Sequence, residues 1–187
     1  MLEQWIQWEL GFLHSIQESA TPLWDFVWTS VTMLGESGLF WIALSLFLMF
    51  LPRTRKCGFS MGIALALGAI LVNVLLKNVV ARPRPYDLDP TLSCRLVWGE
   101  MTRDFSFPSG HTAASFEAAF ALFLRNRKWG VIALTAAFFI GVSRLFLVVH
   151  YPSDVVAGAV IGMFCGYLGC TLVDAICSAM QKKRNTE

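Results

Sequence analysis

Three short stretches of this chain gather side chains that can hold and attack an anion. Residues 77–85 (KNVVARPRP) carry Lys77, Arg82 and Arg84, and residues 108–111 (PSGH) carry Ser109, Gly110 and His111. Residues 143–154 (SRLFLVVHYPSD) place Arg144, His150 and Asp154 where an apolar run meets polar sequence. Lysine and arginine neutralise phosphoryl oxygens, and arginine fits them with a planar fork of donors. Two histidines and a carboxylate add a nucleophile, a proton carrier and a group that fixes an imidazole tautomer. The inventory is that of a site for a phosphate group.

The residues differ in how much each says alone. Lys77 taken singly is a helix-end lysine reaching for the interface, and Arg84 a solvated loop residue. Arg144 is harder to account for, because it sits inside the apolar run 134–149 and a buried cation needs an anionic partner. Pro108, Ser109 and Gly110 read as a helix start with Ser109 as its cap, and a helix N-terminus with free N–H groups is itself an anion site. His111, one turn in, is held close to whatever binds there. Pro152 argues against one helix through both His150 and Asp154; residues 151–152 turn the chain, and Asp154 enters the first turn of the next helix. Glu117, in mid-helix, is expected to face the bundle interior and find a donor. Asp174 is expected to reach the basic edge of the membrane, and His14 to be structural. The Cys and His spacings match no metal-ligand pattern, and the five cysteines form no disulfide framework.

The elements that must position these residues are set by composition. Of 187 residues, 56% are hydrophobic and 15% charged, too apolar for an ordinary soluble domain of this length. The apolar residues come in charge-bounded blocks whose lengths point to membrane spans. They lie at 38–51, a short one expected to borrow a turn from 35–37, and at 58–76, 109–124, 129–149 and 155–180. Residues 1–37 are broken by Glu3, Glu9, Glu18, Asp25 and Glu36, while Trp5, Trp8, Phe12 and Ile16 recur at helical spacing. They predict amphipathic interfacial helices, with neither a basic start nor a cleavage site of a signal peptide. A six-span alternative would put Glu18 and Asp25 in hydrocarbon, at several kcal/mol.

The fold class is therefore an all-α membrane protein, a bundle of about five transmembrane helices preceded by amphipathic interfacial helices. Its organisation is interfacial helices at 1–37, a transmembrane core at 38–180 and a basic tail at 181–187. Nine of the fifteen Lys and Arg residues fall at 53–56, 125–128 and 182–184, which alternation puts on one side, cytoplasmic by the positive-inside rule. The other six, Lys77, Arg82, Arg84, Arg95, Arg103 and Arg144, belong to the outer face. The same alternation brings Lys77, His111, Arg144 and Asp154 to that face, although residue chemistry played no part in placing the spans.

The three stretches also resemble a known family. Lys77 with Arg84-Pro85, Pro108-Ser109-Gly110-His111, and Ser143-Arg144 with His150 and Asp154 are similar to the three signature motifs of the type 2 phosphatidic acid phosphatase superfamily, in order and at every motif position. A four-residue motif arises by chance roughly once in 10⁵ positions at average composition, and the ordered set far less often. The resemblance covers about residues 35–180. It implies a cofactor-free and metal-independent lipid phosphatase with a lipid phosphate and the bilayer as partners and no nucleic acid. In that scheme His150 is a nucleophile forming a phosphohistidine, Asp154 orients it and His111 protonates the leaving oxygen. Lys77, Arg84, Arg144, Ser109 and Gly110 hold the phosphoryl oxygens. Undecaprenyl diphosphate, phosphatidic acid and phosphatidylglycerol phosphate all fit, and the loop 86–107 is expected to read the headgroup. Lipid-to-lipid phosphotransfer, vanadate-dependent peroxidase chemistry and a non-catalytic scaffold are the competing readings. The expected location is a bacterial plasma membrane with the site outside and the C-terminus cytoplasmic. The departure from larger members, interfacial helices in place of an extra span, is expected to leave the site untouched.

Overall fold

The computed structural model describes residues 2–96 and 104–185, all helix, turn and loop among the described residues. Residues 97–103, which include Arg103 and the middle of the loop expected to read headgroups, lie outside them, as do residues 186–187 of the basic tail. Helix α1 (Leu2–Ser19) is followed by α2 (Pro22–Met33), where Pro22 takes the first helical position and the Thr21 hydroxyl accepts from the Trp24 N–H. A 3-10 turn (Glu36–Gly38) leads into α3 (Leu39–Phe50). The turn expected to lengthen this first span is thus present but not continuous with it. Gly38, at φ +67, takes the left-handed conformation that glycine tolerates and separates the two.

Helix α4 (Arg55–Gly68) runs on as a π-helical stretch (Ala69–Leu76) and ends in α5 (Lys77–Val80). After the prolines, a single turn α6 (Pro85–Leu88) opens the long loop. Helices α7 (Gly110–Arg125), α8 (Arg127–Phe146) and α9 (Pro152–Arg184) complete the chain. Each of the five expected spans coincides with one helical run. The runs 55–88, Arg127–Phe146 and Pro152–Arg184 are long and apolar enough to cross a membrane, and Leu39–Phe50 is a shorter apolar helix. α7, with 16 residues, is the central element rather than the most apolar one.

α7 can be central because α9 presents it with no side chains. Gly158, Gly162 and Gly166 recur every four residues, and a Cβ on them would lie 2.7, 2.6 and 2.8 Å from the carbonyl oxygens of Ser109, Ala113 and Glu117. This is the small-residue seam by which membrane helices approach backbone to backbone, where lipid offers no hydrophobic drive and close packing must supply the attraction. On its other sides α7 meets α8, α4 and α3, and the buried Trp41 indole of α3 donates to Ser115 Oγ of α7 at 3.0 Å. Phe47, Phe138, Phe139 and Phe164 point away from the bundle and are exposed. An apolar belt of that kind would be a liability in water and is the ordinary outer face of a bundle in lipid.

α1 has two apolar faces. Trp5, Trp8 and Phe12 are exposed and stack along one of them, while Leu10, Leu13 and Ile16 are buried against Leu92, Val148 and Tyr151. Ile16 therefore belongs with the inward set, not with the aromatic stripe that its spacing suggested. His14 Nε2 lies 2.9 Å from Asp89 Oδ2, and Gln17 pairs with Thr91 and Ser93, so α1 is tied to the start of the long loop.

Candidate active site

A cavity of about 350 Å³ opens at the end of the bundle where α5, α7 and the α8–α9 turn meet. Lys77, Arg84, Gly110, His111, Arg144 and His150 all line it. Ser109 and Asp154 are fully buried behind it. Three stretches separated by up to 73 positions thus converge, as alternation required, and both histidines face one space.

Each side chain is positioned by its own element. The π-helical stretch brings Val72 and Asn73 to the cavity wall and delivers Lys77 at its end; such wide turns recur beside functional sites. Arg84 sits between two prolines with a buried side chain, its Nη1 donating to the Val149 carbonyl at 2.8 Å and its Nε to the Asp104 carbonyl at 2.9 Å. The Asp104 carboxylate bridges Arg84 Nη2, at 2.5 Å, and the Lys77 ammonium. Partial burial would raise the Asp104 carboxyl, but those two cations more than offset it and hold the group well below the usual carboxylate range. Arg144 is buried on α8; its Nη1 donates to Thr32 Oγ1 at 2.5 Å, and its Nε has no partner among the described residues.

The His150–Asp154 pair is built by the turn between α8 and α9. Tyr151 takes the N-cap of α9 and Pro152 the next position, so Asp154 falls at the third helical residue and accepts from the Tyr151 N–H at 3.0 Å. Its Oδ2 lies 3.4 Å from His150 Nδ1 and also accepts from Ser106 Oγ, while Oδ1 accepts from Arg82 Nη1 at 2.7 Å. With Nδ1 so engaged, Nε2 is the imidazole nitrogen with no hydrogen-bond partner among the described residues. Burial pushes the His150 imidazole down to about 3, against the opposing pull of Asp154, so the ring is neutral near pH 7. Upstream, Val148 is held at φ +56, a conformation that costs a branched residue about 1–3 kcal/mol and persists only where packing enforces it. Leu10 and Leu13 of α1 belong to the cluster that buries it.

His111 Nε2 lies 3.2 Å from Glu36 Oε2, at the 3-10 turn. Ser109 differs from expectation. It occupies the N-cap of α7, but its hydroxyl accepts from Thr112 Oγ1 at 2.9 Å instead of capping a helix N–H, and it does not line the cavity. The expectation that the N-terminal helices leave the site untouched also fails. Glu9 of α1 is fully buried, accepting from Arg82 Nη2 at 2.6 Å and from the Ser153 N–H at 2.8 Å; Thr32 of α2 holds Arg144, and Glu36 holds His111. In the sequence of residues 1–37 these polar groups look like interruptions of an amphipathic pattern. Arg82, a cation of the first stretch that the family motifs leave without a role, spans Glu9, Ser153 and Asp154 and lies over the Tyr151 ring at 3.7 Å.

The family model of the PAP2 superfamily matches residues 57–176, which contain all three motif stretches. The chain belongs to that superfamily. Among its relatives, an undecaprenyl-diphosphatase of Sulfolobus acidocaldarius is 33% identical over 130 residues, covering 68% of this chain and 61% of the relative. The bacitracin transport permease protein BcrC of Bacillus licheniformis is 35% identical over 137 residues, covering 71% and 65%. This PAP2 chain thus aligns with slightly less than two thirds of either relative's length. Its fold matches the crystal structure of a transmembrane PAP2-type phosphatidylglycerolphosphate phosphatase from Bacillus subtilis, with a TM-score of 0.74 at 22% identity over 91% of this chain and 86% of that one. It is an integral membrane protein with the PAP2 helical bundle.

Proposed function

We propose that this PAP2 protein removes a phosphate from a membrane lipid phosphate or diphosphate through a phosphohistidine, without a metal. The observation that carries the reading is Arg144, a buried arginine on the cavity wall whose Nε has no partner among the described residues. A bound phosphoryl group supplies the missing acceptor. Lys77, Arg84 and the Gly110 end of α7 complete the cradle, and these fixed cations and donors do the charge stabilisation that phosphoryl transfer chiefly requires.

In this mechanism His150 Nε2 attacks phosphorus and the bond to the lipid oxygen breaks. The departing electron pair stays on that oxygen, which His111 protonates. Water then attacks the phosphohistidine as His111 takes its proton, and the P–N bond breaks to release phosphate and neutral His150. Asp154 keeps Nδ1 engaged and stabilises the transient positive ring. The basic clusters at the opposite end favour a site outside the cytoplasm. The family relationship supports lipid phosphate chemistry, and the first relative's name brings undecaprenyl diphosphate into the substrate panel beside phosphatidic acid and phosphatidylglycerol phosphate.

The test is phosphate release by purified protein in mixed micelles over those three lipids, with and without chelator. Release from at least one lipid, unchanged by chelator and abolished in His150→Ala and His111→Ala, is the expected result. Release at the wild-type rate by either variant would remove the assigned roles. Labelled-phosphate product analysis separates hydrolysis from transfer to a second lipid.

A further inference from the structure

Below the cradle the cavity continues between α4 and α7 to Glu117, past Ile42, Leu65 and Ala69. Glu117 lies six residues beyond His111 on α7, about 9 Å deeper along the helix axis. Its side chain is 2% exposed and lines the cavity, and no hydrogen bond or ion pair forms at its carboxyl among the described residues. The group is also fixed in place. A Cβ at Gly68 would lie 1.7 Å from Glu117 Oε1, so the carboxyl fills the space that a side chain on α4 would take. From behind, Gly162 and Gly166 of α9 bring their backbone against the Glu117 N–H and carbonyl, where added Cβ atoms would sit at 3.1 and 2.8 Å. The residue cannot withdraw, and its carboxyl points into the space that a lipid anchored by its phosphate must fill.

We propose that Glu117 is a specificity-determining residue that binds the linkage between the phosphate and the chains of the substrate. The substrate class is then a phosphorylated lipid bearing hydroxyl, amide or ester groups on its backbone, in preference to a prenyl chain joined directly to its phosphates. This rests on the phosphatase reading of the same site. A carboxyl accepts from a hydroxyl or amide N–H in either protonation state, and in its acid form donates to an ester or amide carbonyl. A prenyl chain can do neither. When it enters it leaves the carboxyl without a partner, and sites built around a buried polar group discriminate strongly against ligands lacking its complement.

The experiment measures kcat/KM for dioleoyl phosphatidic acid and for farnesyl diphosphate in the same micelles, with the His150→Ala protein as the blank. Wild type is expected to favour the phosphatidic acid. Glu117→Leu should lower the ratio of the two values about tenfold, and Glu117→Gln, which keeps hydrogen-bonding atoms at the position, should hold it within about threefold. Gly68→Ala pushes the carboxyl aside from the other helix and should lower the ratio in the same direction; it decides the matter if the leucine variant fails to fold. A wild-type preference for the prenyl substrate, or an equal loss on both substrates in Glu117→Leu, overturns the assignment. No release by wild type from either substrate or from the wider lipid panel defeats the phosphatase reading itself, and this inference with it.

Discussion

Two arginines near opposite ends of the bundle show the difference between a structural cation and one held for a ligand. Arg125, at the end of α7 among the basic clusters, uses its whole guanidinium within the protein: Nε to Ser60 Oγ at 3.0 Å, Nη1 to Asp174 at 2.9 and 3.1 Å, and Nη2 to the Cys170 carbonyl at 2.8 Å. Asp174 pairs with Lys56 at 2.6 Å as well, so α4, α7 and α9 are latched together. Arg144 is the more deeply buried of the two, yet among the described residues it donates to the Thr32 hydroxyl and its Nε has no partner. Buried donors are rarely left so, because each unmade bond costs about 1–3 kcal/mol. Burial therefore does not distinguish the two ends; whether the protein itself completes the hydrogen bonding does.

The comparison can be broken in order of expected effect. Arg144→Ala should lower kcat/KM for phosphate release on the order of 10²–10³-fold with little change in melting temperature; a loss explained by unfolding would erase the distinction. Glu9→Gln weakens the bridge through Arg82 to Asp154 and should reduce kcat about tenfold with KM within about twofold, since it touches only the setting of His150. Asp104→Asn frees Lys77 and Arg84 from an internal carboxylate and should lower KM about threefold, read in the same kinetics. At the far end, Arg125→Ala should leave kcat/KM of the folded protein within about twofold and reduce stability by about 1–2 kcal/mol, measured by denaturant or thermal unfolding in micelles; the pair is partly exposed and is discounted accordingly. A larger effect on activity than on stability at Arg125 would contradict its structural assignment.

The bundle was readable in the sequence because bilayer thickness and charge act on whole segments. Apolar blocks ending at Arg53, Lys77, Arg125 and Lys182 mark helix ends wherever the chain later packs, and alternation then brings the motif stretches together. The support around the site depends on contacts between distant segments, which periodicity does not encode. Glu9 looked like a flaw in an interfacial helix until folding buried it under Arg82, 73 positions away. Asp104 carried no pattern at all, and its bridge between Lys77 and Arg84 depends on where the long loop returns. Ser109 had the right residue type for a cap, but Thr112 one turn on engages its hydroxyl. Arg144 was the exception, because a cation inside an apolar run is anomalous before any fold is known.

The π-helical stretch Ala69–Leu76 sets the direction in which Lys77 leaves its helix. Residues in an α-helix advance by about 100° each and those of the wider turn by less, so a change that let the stretch tighten would swing the ammonium away from the anion while every motif letter stayed the same. Two chains with identical signatures could then differ in competence through one change within the two turns upstream, and motif spelling would not reveal it.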